Sequence, residues 1–308
     1  MYRTDFSKPL FIILIYFFTS AAVAKGNSIS DLYAQACMKE GWNKTSNGYG
    51  DCSKAIDLLG PNDTSIDIPI AINKLLSACW SRSLTRTTGS LKYNRAPCDK
   101  ISSMLLIDSE KINDNSTRVQ VLLAIQDFYQ SEQEWNNAMN VLIDALPVAQ
   151  NEQENPAFDL AYIHQVMGHI HWHKNEQGLA EHEYIKSFDI LEKTPLKNSD
   201  ANSTTLVDYQ KMQILQDMLS LYLEQNKSIM AKSALDIISE IYSNHTDKPD
   251  ALSRAYDDAV FSFVEHYIQK GQCDVARPYF VTLQSLDASP TITNIYKKMN
   301  EQLIQKCK

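Results

Sequence analysis

Apolar residues along this chain recur at three- and four-residue steps in successive blocks, and no stretch keeps the strict alternation of a half-buried strand. The pattern predicts helices over residues 29–40, over 52–59 up to Gly60-Pro61, and over 69–84, where Pro69 opens a segment carrying Ile72, Leu75, Leu76 and Cys79 on one face. After a polar loop from Thr85 to Pro97, helix resumes from Cys98 to Ile107. Four later stretches repeat one spacing: an aromatic or imidazole residue, an alanine nine positions on, and a small or apolar residue seven beyond that. They read Tyr129-Ala138-Ala145, His171-Ala180-Ser187, Tyr222-Ala231-Ile238 and Tyr267-Ala276-Leu283. Repetition at this scale predicts stacked helix pairs, each burying a face on its neighbours, in place of a single globular core. The alanines fall where two helices approach at the close end of the ~8–10 Å range, which only a small side chain permits. A last amphipathic segment, Thr291 to Cys307 with Ile295, Met299, Leu303 and Ile304 on one face, reads as a helix capping the stack.

Residues 116–290 resemble the tetratricopeptide-repeat (TPR) superfamily. The resemblance rests on Leu122, Ile125, Tyr129, Ala138, Leu142 and Ala145, and on Val260, Phe263, Tyr267, Gly271, Ala276, Phe280 and Leu283 followed by Pro290. Met167-Gly168 and Ala180 with Tyr184 mark a second pair, and Leu215, Met218, Tyr222, Ala231 and Leu235 a third. Two features depart from the family. The alanines stand 42, 51 and 45 residues apart, against ~34 in the usual repeat, so helices or loops must be longer. His164 and His171 also occupy positions where the family carries large apolar or aromatic residues. The fold class expected is all-α, a right-handed helical-hairpin solenoid with a disulfide-stabilised N-terminal part and a C-terminal capping helix.

The resemblance implies a groove lined by the first helix of each pair. Carried over position by position, it is lined by Gln120, Leu123, Asp127 and Gln130; by Tyr162, Gln165, His169, Trp172 and His173; by Gln213, Gln216, Ser220 and Glu224; and by Asp258, Phe261, Glu265 and Gln269. Such a mixture of acids, amides and aromatics suits an extended or cationic peptide better than a phosphate. The alternative is an ordinary solvated helix face.

The N-terminus adds a compartment. Arg3 and Lys8 precede an apolar run from Leu10 to Phe18 that passes into Ala22-Val23-Ala24, the three parts of a secretory signal with cleavage expected after Ala24. The run is shorter than the ~20 residues of a spanning helix, so no membrane span is expected after cleavage and the chain is expected to be periplasmic or secreted. Six cysteines in an oxidising compartment predict disulfides. Sequence alone leaves 15 connectivities open; pairing each cysteine with one on an adjoining helix gives Cys37–Cys52, Cys79–Cys98 and Cys273–Cys307, each worth roughly 3 kcal/mol if unstrained. Domains are expected at 1–24 (signal), 25–110 (disulfide-bearing helices) and 111–308 (repeats and cap).

Charge narrows the partner. Without residues 1–24 the chain carries 27 basic and 36 acidic side chains, and residues 111–308 alone hold 17 and 27. A nucleic-acid binder is thereby disfavoured. The basic stretch from 68 to 98, with Lys74, Arg82, Arg86, Lys92 and Arg95 and no acid, offers a second surface for an acidic partner. Five of seven histidines fall between His164 and His182, and His169 and His173 lie one helical turn apart, making them candidate metal ligands in want of a third. The metalloprotease pattern, nucleophile elbow, phosphate-cradling loop and dinucleotide fingerprint are absent, so no catalytic role and no cofactor is expected. The reading is an exported scaffold or adaptor that binds a partner protein or peptide, with a metal or small-ligand sensor built on the His-rich helix as the alternative.

Overall fold

The computed structural model describes residues 96–152, 156–193, 201–247 and 249–284, together with residues 301, 305 and 306. The signal segment, the three earliest expected helices, the basic loop and nearly all of the expected capping helix lie outside the described residues. Every described element is a helix: α1 (Ala96–Ser109), α2 (Asn115–Ser131), α3 (Trp135–Gln150), α4 (Pro156–His173), α5 (Gln177–Lys193), α6 (Ala201–Glu224), α7 (Ser228–Ser243), α8 (Asp250–Gln269) and α9 (Cys273–Gln284). They pack as consecutive pairs, α2 on α3, α4 on α5, α6 on α7 and α8 on α9. The expectation of an all-α chain of helical hairpins therefore holds over the described residues.

The nine-residue spacing has a backbone cause. At all four hairpin turns the first helix closes with one residue in the left-handed region: Gln133 at φ 61°, Asn175 at 61°, Asn226 at 59° and Gly271 at 69°. The N–H of that residue donates to the carbonyl three residues back, Gln130, Trp172, Leu223 or Ile268. The next N–H donates five back, to the carbonyl of Tyr129, His171, Tyr222 or Tyr267, each time at 2.9 Å. These two bonds are the Schellman closure, which satisfies carbonyls a helix end would otherwise orphan. The acceptor at the start of each closure is thus the aromatic or imidazole residue of the repeat. The second helix begins at once, and the N–H of Ala138, Ala180, Ala231 or Ala276 donates back to residue 134, 176, 227 or 272. All four alanines are fully buried, as the close approach of two helices demands.

Other ends have their own causes. The Asp114 carboxylate caps α2 by accepting from the Thr117 N–H at 2.8 Å. The Thr117 hydroxyl and N–H hold that carboxyl below its ordinary value. Longer first helices absorb part of the wide repeat: α6 has 24 residues and α8 has 20, against 17 in α2.

The chain divides into two compact units, Met1–Glu154 and Asn155–Lys308. In the first, α1 and α3 pack on α2, burying Ile101, Leu105, Leu122, Ile125, Phe128 and Leu142. In the second, α6 is the hub, packing on α4, α5, α7 and α8. Of the expected disulfide cysteines only Cys98, fully buried on α1, and Cys273 lie among the described residues, and neither is a free thiol. Cys37, Cys52, Cys79 and Cys307 lie outside them.

Candidate functional site

The second unit gathers polar side chains between α4 and α6, where a core would ordinarily be apolar. Three contacts join residues 52 apart at seven-residue steps, so the two helices run parallel in constant register. The Gln210 amide donates to the Phe158 carbonyl at 3.3 Å, Gln165 Nε2 donates to Asp217 Oδ2 at 2.6 Å, and Trp172 Nε1 donates to Glu224 Oε2 at 2.7 Å. Seven residues are about two helical turns, or roughly 10 Å. The rungs are therefore evenly spaced along the seam.

The middle rung is the most developed. Asp217 Oδ2 also meets His169 Nε2, at 2.9 Å, so one carboxylate oxygen serves two side chains of α4. Burial works to lower the His169 pKa, but the charge and hydrogen bond of Asp217 outweigh it and leave the imidazole above its usual value. Beneath His169 lies the Tyr184 ring of α5, edge-on at 5.7 Å between centroids. Gly168 admits that ring: a Cβ there would stand 2.6 Å from Tyr184 Cε1. The Tyr184 hydroxyl is buried without a hydrogen-bond partner, as is Gln165 Oε1. Burial, then the charges of Asp217 and Glu224, raise the phenol well above its ordinary pKa, so it stays neutral.

The two histidines that break the family pattern both pair with carboxylates. His164, 4% exposed, places Nδ1 2.6 Å from Glu183 Oε2 on α5. Burial pushes Glu183 up, and the hydrogen bond and charge of His164 outweigh it, leaving that carboxyl below its usual value. His171 Nδ1 meets Glu176 Oε2 at 2.6 Å across the α4–α5 turn. A fourth such pair, His245 with Asp208 at 2.9 Å, ties the end of α7 to α6.

Of the residues assigned to a groove, the structure brings together Gln165, His169, Trp172 and Glu224. His173 stands exposed at the end of α4, and Tyr162 is partly buried earlier on that helix. Gln216 faces α8 instead, donating to the Ala255 carbonyl at 2.6 Å and accepting from Gln213 at 2.8 Å. Phe261 packs against the apolar core around α8. Asp258 is exposed and Glu265 partly buried on the same helix. Neighbouring Asp257 has its carboxyl pushed up to about 6 by burial and the Asp258 charge. Asp127 belongs to the first unit, where burial pushes its carboxyl up to about 7. Among the described residues no three histidine, cysteine or acidic side chains converge as a metal cage.

No protein-family model matches the chain, and no curated protein matches it. Among solved structures it is similar to a Rap protein crystallised in complex with competence and sporulation factor, at 17% identity and a TM-score of 0.45, over 91% of this chain and 77% of that one.

Two members of the site escaped the sequence reading. Asp217 follows Gln216 and stands seven residues before Glu224, the same interval that separates Gln165 from Trp172. That matching interval was the available signal. Tyr184 was named with Ala180 as a mark of the second helix pair, and nothing in the sequence marks its hydroxyl as unpartnered.

Proposed function

We propose that this protein is an exported, non-catalytic interaction module of TPR-like type, which holds a partner protein or peptide against the first helices of its hairpins. One observation carries the reading: Gln165, His169, Trp172 and Glu224, drawn from stretches some fifty residues apart, converge on one seam through side-chain bonds that core packing alone does not require. The acidic excess of residues 111–308 and the carboxylates Asp217 and Glu224 favour a partner with basic character. Export rests on the N-terminal signal, and the disulfides on the cysteine count.

The test is affinity capture from the native compartment with the mature protein as bait, in parallel with Trp172→Ala and Glu224→Gln. A partner retained by the wild type and lost from both variants is the expected result. Equal capture by all three baits would overturn the assignment of this seam. The metal-sensor alternative needs a third ligand beside His169 and His173, and among the described residues no such group of three converges. Zinc, copper or nickel is expected to leave the melting temperature unchanged.

A further inference from the structure

We propose that the middle rung of the α4–α6 seam is a receptor for a lysine ammonium of the bound partner, which displaces His169 from Asp217 and docks on Asp217, Gln165 Oε1 and the Tyr184 hydroxyl. The inference rests on the partner-binding reading above and names the chemistry that the seam recognises.

Unmet hydrogen bonding is the first support. A buried acceptor or hydroxyl without a partner is costly and calls for an explanation. Here two occur in side chains attached to the same rung, Gln165 through its bond to Asp217 and Tyr184 through its ring against His169: Gln165 is 2% exposed and Tyr184 not at all, yet Gln165 Oε1 and the Tyr184 hydroxyl bond nothing. Gln165 bonds Asp217 directly and the Asp217 charge acts on the Tyr184 hydroxyl, while Asp217 engages Gln165 and His169 through Oδ2. The site therefore offers three oxygens that can accept. A primary ammonium carries three donors on one compact centre, which matches that number, whereas a guanidinium presents a wide planar fork suited to a carboxylate with both oxygens open.

Charge is the second support. The ionised groups acting on the Tyr184 hydroxyl are Asp217 and Glu224, both negative. The side chain already paired with Asp217 is His169, 28% exposed against 19% for Asp217, so it forms the solvent side of the rung. A His169 ring that pairs with Asp217 competes with an incoming ammonium for the same oxygen. Removing it should open the path and strengthen binding.

The probe is a capped lysine decamer, measured by calorimetry against the mature protein at pH 6, with the fully Nε-acetylated decamer and the arginine decamer alongside. Asp217→Asn is expected to weaken lysine binding by about tenfold or more, the scale of a lost charged hydrogen bond. Asp236→Asn, which removes an exposed carboxylate of α7, should change it less than about twofold. His169→Ala should tighten it several-fold, and the acetylated decamer should not bind. Helix content and melting of each variant by circular dichroism confirm that the fold is kept. Equal losses in Asp217→Asn and Asp236→Asn, equal or tighter binding of the arginine decamer, or weaker binding by His169→Ala would each overturn the assignment. The two readings separate cleanly: a native partner that Trp172→Ala loses and Asp217→Asn retains leaves the interaction module standing and removes the lysine site.

Discussion

The hairpins α4–α5 and α8–α9 share one backbone turn and differ in how much polar chemistry their interiors hold. Around α8 and α9 the filling is aromatic and aliphatic. The Phe263 ring lies 4.6 Å from that of Tyr267 and 4.8 Å from that of Tyr279, while Tyr242 and Tyr256 stack at 4.5 Å nearby. Between α4 and α5 the buried apolar cluster is small, Ala161, Ala180, Tyr184 and Leu191, joined by Ile214 and Leu221 of α6. Beside it stand a glycine, a buried Ser187 hydroxyl bonded to the Ala161 carbonyl, and the His164–Glu183 pair. An apolar interior stabilises without regard to direction, whereas hydrogen bonds and ion pairs add little net stability but fix orientation. The first hairpin is thus held in a defined arrangement, and the polar seam that α4 forms with α6 is where recognition chemistry collects.

The largest test of this contrast is on the aromatic side. Phe263 is fully buried, and Phe263→Ala should cost about 3–5 kcal/mol through lost burial and the cavity left behind. Chemical denaturation should show the loss as a lower midpoint. A cost under about 1 kcal/mol would mean that the α8–α9 interior is not the stabilising core.

Gly168→Ala comes next. The added methyl meets the Tyr184 ring at 2.6 Å, and that ring is fully buried with nowhere to swing. Overpacking should cost about 1–3 kcal/mol and shift His169 off Asp217. Alanine at Gly178, where a Cβ meets nothing within 4 Å, is the control and should leave stability unchanged or raised.

These two positions also show what the sequence could reveal. The nine-residue interval was legible because the geometry of one turn sets it, whatever lies on either side. His164 and His171 were legible as departures from an apolar pattern. Their carboxylates were not, since Glu183 lies on the next helix and Glu176 across the turn. The Gln165–Asp217 rung was least accessible of all. Its 52-residue interval depends on the length of α5, of the connection after it and of α6 together, and no local pattern constrains that sum. For the same reason Gln216, one residue from Asp217, was assigned to the groove while its side chain faces α8.

A smaller effect follows from protonation. His169 sits above its unfolded value of 6.5, so its contribution is complete below that pH and fades as pH rises through the raised folded value. Glu183 sits below its unfolded value of 4.5, so its contribution is complete above that pH and is lost as pH falls through the lowered value. The polar hairpin therefore has its full set of pairs between about pH 4.5 and 6.5. Asp127 and Asp257, raised to about 7 and about 6, also cost stability as pH rises, so the diagnostic is a difference between proteins. The melting temperature of wild type minus that of His169→Gln should be greatest near pH 5.5 and shrink by pH 9. A difference that stays constant over that range would detach His169 from Asp217.

The smallest effect isolates the turn that the two hairpins share. Gly271 closes α8 at φ 69° and Asn175 closes α4 at 61°, and no atom would crowd a side chain at Gly271. Any change there measures backbone conformation alone. A residue other than glycine in the left-handed region costs roughly 1–2 kcal/mol, less for asparagine, whose short amide tolerates it. Gly271→Ala should therefore destabilise by about 1 kcal/mol, Gly271→Asn by a few tenths, and Asn175→Gly should return a similar few tenths to the polar hairpin. If Asn175→Gly costs stability while Gly271→Asn does not, the Asn175 side chain is doing something at the α4–α5 turn that its counterpart on the aromatic side has no need of. The equivalence of the two closures would then be one of backbone shape only.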